Sequence, residues 1–66
     1  MNKNLICLEN GKIILNVNTI VMVFPDDKDP NNITCVNVIT GNRTYYIKEN
    51  YESVKKKLND WMANKE

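Results

Sequence analysis

Few side chains in this sequence have the types and spacing for chemistry. There are two cysteines, Cys7 and Cys35, and no histidine. Without an imidazole, neither a serine–histidine nor a cysteine–histidine nucleophile can be assembled. Two thiols alone also fall short of the four Cys and His ligands of a structural zinc site. Asp26-Asp27-Lys28-Asp29 spaces its carboxylates much as a calcium loop does. It lacks the glycine at the sixth position and the closing glutamate of such a loop, so it reads as a solvated turn. Paired aspartates acting as general acid and base need a cleft, and a chain of 66 residues builds no deep one alone. Neither an enzyme, a cofactor nor a metal site is expected.

The basic residues suggest another chemistry. Lys55-Lys56-Lys57 is the one basic run, and Arg43 and Lys48 precede it. Together these five are the candidates for a nucleic-acid contact. On a helix, successive residues are turned by about 100°, so the three lysines spread round a solvated face and draw no stripe. The net charge is +1, with Glu49, Glu52 and Asp60 among the lysines. Phosphate binding at physiological salt wants a concentrated positive patch. Tyr45 and Tyr46 point to opposite sides of one strand, so at least one ring faces outward. Such a ring either stacks on a base or enters a protein interface, where tyrosine is enriched. The interface is the favoured reading.

Short elements must position these groups. Asn10-Gly11 lies between the apolar runs Leu5–Leu8 and Ile13–Val17, a strong signal for a two-residue hairpin turn. Ile13, Leu15 and Val17 then share one face, and Lys12, Ile14, Asn16 and Asn18 the other. Ile20-Val21-Met22-Val23-Phe24 is apolar on both faces and stops at Pro25. Turn formers fill Asp26 to Asn32. A β-branched strand follows, then the tight turn Thr40-Gly41-Asn42, and then a strand carrying both tyrosines. From Asn50 the period changes. Tyr51, Val54, Leu58 and Trp61 draw one helical stripe, with Met62 at its edge. Asn50 suits the N-cap, Glu52 the first turn and Lys65 the end. Glu52–Lys56 and Lys56–Asp60 have the spacing of ion pairs.

The fold expected is α+β, mainly β, in a single domain over 1–66. Five antiparallel strands, at 5–9, 12–17, 20–24, 33–39 and 43–48, precede one amphipathic helix at 51–64. The helix stripe packs on one face of a small sheet. The opposite face still carries Ile14, Val21 and Val23, with Ile6 a further candidate. A domain this small buries only about 60% of the surface its unfolded chain exposes. No second layer remains to cover that face, which points to homo-oligomers or to a protein partner. Ile14, Val21, Val23, Tyr46 and Met62 are the candidate interface residues.

The longest apolar run has five residues, where a membrane helix needs about 20. No membrane insertion is expected. The first residues also lack the apolar core of a secretory signal. A cytoplasmic location follows as an expectation, with Cys7 and Cys35 as small core residues. A disulfide between neighbouring strands is the alternative. Richness in Asn, Lys and Ile matches an AT-rich bacterial or phage genome.

Leu8-Glu9-Asn10-Gly11-Lys12-Ile13-Ile14-Leu15-Asn16, then Ile20, then Thr40-Gly41-Asn42-Arg43-Thr44-Tyr45-Tyr46-Ile47-Lys48-Glu49, and a helix with Val54 and Leu58, resemble the flagellar FlbD/SwrD family. The resemblance covers most of the chain. It implies a small, cytoplasmic, non-enzymatic protein linked to flagellar motor function, with no catalytic residues. Asn50 stands where that family usually has serine, and the Asp26 to Asn32 loop is longer. Thr40 to Leu58 also resembles the end of a LytTR-type DNA-binding domain, which implies the alternative function, a nucleic-acid-binding regulator.

Overall fold

The computed structural model describes residues 4–63. They form β1 (Leu5–Leu8), β2 (Ile13–Asn16), β3 (Ile20–Pro25), β4 (Thr34–Val38), β5 (Arg43–Ile47) and α1 (Tyr51–Ala63). The α+β reading holds: the strands pair antiparallel and the helix comes last. Residue 64, the expected last helical residue, and Lys65 lie outside the described residues.

The strands divide between two sheets where a single one was expected. β1 pairs with β2, while β3, β4 and β5 lie side by side in that order. The break falls at Val17–Thr19, a single 3-10 turn. The Asn18 amide donates to Asn16 Oδ1 at 2.9 Å, and the Thr19 hydroxyl donates to the Asn16 carbonyl at 2.7 Å. Asn and Thr compete with ladder hydrogen bonds in this way, and the ladder is not carried from β2 to β3.

The first hairpin turn also differs by one residue. Leu8 pairs with Ile13, and the Gly11 amide donates to the Leu8 carbonyl at 3.1 Å. Left-handed backbone therefore begins at Glu9 (φ 52°) and continues through Asn10 (57°) and Gly11 (85°). Such a φ is uncommon for glutamate. Glu9 is held there from outside the hairpin: its amide donates to Glu49 Oε1 at 2.9 Å and its carboxylate accepts from the Lys48 amide at 2.7 Å.

The core forms where the two sheets and the helix meet. Ile6, Leu8, Val36, Val38, Ile47 and Val54 are buried together. Ile13, Leu15, Val17, Ile20, Val23 and Leu58 pack against them. Each fully buried aliphatic side chain stabilises the fold by about 1.5–3 kcal/mol. Alternation along β1 sends Ile6 and Leu8 inward and leaves Cys7 exposed. That corrects two expectations, Cys7 as a core residue and Ile6 as an outward one.

Asn50 caps α1, its Oδ1 accepting from the Ser53 amide at 2.8 Å. Val54 is the buried residue of the stripe, flanked by half-buried Tyr51, Leu58 and Trp61. Lys56 Nζ lies 3.1 Å from Asp60 Oδ2 on the exposed face.

Candidate interaction surface

The solvent face of the three-stranded sheet is built from alternate residues of its strands. Phe24 and Tyr46 stand on either side of Cys35, and Met22 and Thr44 on either side of Asn37. No residue of these two rows is charged. Asn37 Nδ2 donates to Thr44 Oγ1 and to the Arg43 carbonyl, both at 3.2 Å. Met22, Phe24 and Tyr46 are exposed. A depression of about 370 Å³ opens here, lined by Phe24, Cys35, Thr44 and Tyr46 together with Asp26, Asp27 and Lys28.

Cys35 lies at the base of this face and is only 3% exposed. Its thiol sits 3.6 Å from Asp26 Oδ1, to which it donates. Burial pushes the thiol above its ordinary pKa, and the bond to Asp26 and the charges of Asp26 and Asp27 raise it further. A protonated, covered thiol is a poor nucleophile. Cys35 is therefore a small buried residue as expected, although it lies on the face away from the core. Both cysteines are free thiols, so the disulfide alternative is not realised.

The Asp26 to Asn32 segment is a self-bonded turn. Asp26 Oδ2 accepts from the amides of Lys28 (3.1 Å) and Asp29 (3.0 Å), and Asp29 Oδ1 accepts from Asn32 Nδ2 at 3.0 Å. Among the described residues no group of three or more His, Cys, Asp and Glu is placed to hold a metal ion.

The five expected interface residues do not form one patch. Ile14 is 59% exposed on the outer face of the first hairpin, opposite exposed Cys7. Tyr46 (62%) belongs to the face just described, and Met62 (64%) lies on the helix. Val21 is 56% exposed, whereas Val23 is half-buried. It pairs with Val36 and packs against the core. The reason is a β-bulge. Ile20 faces Val38 while Met22 faces Asn37, so Val21 is an extra residue. The extra residue breaks the alternation, and Val21 and Val23 lose their common face. Met22 and Phe24 were missed for the same cause. Their only signal was that β3 is apolar at every position.

The basic candidates are largely engaged within the chain. Lys57 Nζ lies 2.8 Å from Glu49 Oε2, Lys56 pairs with Asp60, and Lys55 Nζ lies 5.9 Å from the centre of the Tyr51 ring. Arg43 and Lys48 are exposed at the two ends of β5. Among the described residues no helix is long and apolar enough to cross a membrane.

Glu49 was not singled out by its type or position, yet it gathers more of the tertiary bonding than any basic candidate. Its carboxylate accepts from the Glu9 amide, the Ser53 hydroxyl and Lys57 Nζ. Its carbonyl accepts from the hydroxyl of buried Thr34 at 2.7 Å. Burial alone would raise its pKa. The bonds from Lys57, Ser53 and the Glu9 amide, with the charge of Lys57, outweigh that and hold it below the usual value. The chain matches no family model, no curated protein and no solved structure.

Proposed function

We propose that this chain is a small non-enzymatic protein-interaction module that associates with further copies of itself through its sheet. The observation that carries the reading is the solvent face of β3, β4 and β5, where Met22, Phe24 and Tyr46 stay exposed in two rows without a charged residue. Association along those two rows brings no charged residue of the rows into contact, with Asp26, Asp27 and Lys28 beyond the end of β3, and burying a charge is the costly step in closing an interface. Exposed aromatic and methionine side chains are also the types that interface cores favour. Nucleic acid has less support, because Lys56 and Lys57 already hold carboxylates.

Light scattering over a range of concentrations tests this. The wild type is expected to run as an oligomer, and Tyr46→Lys to weaken it at least tenfold with an unchanged circular dichroism spectrum. A monomer at every concentration sinks the proposal. The FlbD/SwrD resemblance extends the reading to a cytoplasmic flagellar accessory in a bacterium or its phage. Flagellar genes beside the coding sequence are the expected observation for that extension.

A further inference from the structure

The three-stranded sheet has two edges, and they are not alike. β3 is the blunted one: it carries the bulge at Val21 and ends in Pro25. Bulges and prolines are the devices by which natural edge strands avoid pairing. β5 has neither. It bonds to β4 on one side and to no other strand among the described residues. Arg43, Thr44, Tyr45 and Tyr46 are all exposed. Three of these side chains are β-branched or aromatic, the types that suit a paired strand. Its last residue, Ile47, is buried in the core with Leu8 and Val54, and just beyond it the Lys48 amide donates to the Glu9 carboxylate.

We propose that β5 is the self-association edge, pairing antiparallel with β5 of a second copy about a two-fold axis at Tyr45. This rests on the module reading above and names its surface. The axis stands perpendicular to the sheet, so outward residues face outward residues. Tyr45 then lies opposite the second copy's Tyr45, Thr44 opposite Tyr46, and Arg43 opposite Ile47. This register overlaps the whole strand, and no like charges face each other, which would destabilise a cross-strand pair. A peptide of another protein needs complementary residues of its own, whereas the two-fold register supplies them from this chain. The pairing also sets the Phe24–Tyr46 and Met22–Thr44 rows of the two copies on one face of a continuous six-stranded sheet.

Charge exchange at the axis tests this register. Tyr45→Lys and Tyr45→Glu each place like charges face to face, so each alone is expected to be monomeric where the wild type is dimeric. Mixed in equal amounts they are expected to form a heterodimer, seen by light scattering and by native mass spectrometry. If either variant fails to fold by circular dichroism, Tyr45→Cys in a Cys7→Ser background replaces it. Mild oxidation should then link two chains through residue 45. A dimeric wild type whose charge variants both stay dimeric, or whose Tyr45→Cys form does not cross-link, overturns the β5 register and leaves the module reading intact. A wild type that is monomeric throughout overturns both.

Discussion

Glu9 and Glu49 are joined by a hydrogen bond across the fold, and Lys48 returns a second one to Glu9. The Glu9 amide donates to the Glu49 carboxylate at 2.9 Å, and the Glu9 carboxylate accepts from the amide of Lys48, next to Glu49, at 2.7 Å. The exchange ties the first hairpin turn to the segment between β5 and α1. Lys57 and Ser53 approach Glu49 from the helix, and Thr34 from β4. One carboxyl-bearing residue thus connects both sheets and the helix in a chain with little core to spare.

Removing that charge should cost stability. Glu49→Gln keeps the shape but leaves Lys57 without its carboxylate, and hydrogen bonds to charged groups are worth about 1.5–3 kcal/mol. A urea midpoint lowered by a corresponding amount at pH 7 is the expected result. The pH dependence has a definite sign. The folded pKa of Glu49 is lowered, so its contribution is complete above the unfolded value of about 4.3 and is lost as pH falls through the folded value. As pH falls through the folded value of Glu49, the midpoints of wild type and Glu49→Gln should therefore converge. A gap of constant size from pH 7 to pH 2 contradicts this account.

The bulge predicts opposite outcomes at two neighbouring valines. Val23→Lys replaces a half-buried valine that pairs with Val36 and packs against the core, and the lost packing with a partly desolvated charge is expected to exceed the stability of so small a domain. It should be unfolded by circular dichroism at 25 °C. Val21→Lys lies on exposed surface and should melt within a few degrees of the wild type. Equal melting temperatures for the two variants contradict the register.

The two thiols should differ sharply towards an aromatic disulfide reagent at neutral pH. Cys7 is exposed, while Cys35 is buried with a raised pKa. One thiol per native chain is expected to react within minutes and the second only in denaturant. Fast release from both in native buffer means that the Phe24–Tyr46 cover over Cys35 opens.

Asn50→Ala removes the side-chain acceptor of the Ser53 amide. Loss of an N-cap costs about 0.5–2 kcal/mol. The urea midpoint of this variant should fall accordingly, and that of Asn50→Ser should remain close to wild type. Equal losses for both show that the Asn50 side chain serves something other than the cap.

What this sequence determined by itself was local. Strand and helix positions followed from the period of apolar residues, which shifts from two to nearly four at Asn50, and the cap followed from asparagine chemistry. Helix and strand geometry depend on near neighbours, so near neighbours carry that information. The exposure of Ile14, Tyr46 and Met62 was legible for the same reason. Tertiary structure decided the rest. The division into two sheets turns on Asn16 bonding across a 3-10 turn in place of a ladder. The face to which Val23 belongs turns on a single extra residue opposite β4, and no periodicity within β3 records it. Glu49 reads in sequence as one acidic residue among eight. Only when the first hairpin, β4 and the helix converge on it does its carboxylate meet the Glu9 amide, Ser53 and Lys57. Pairing between distant segments selects one arrangement among several that local preferences allow, and that selection depends on residues far apart in the chain.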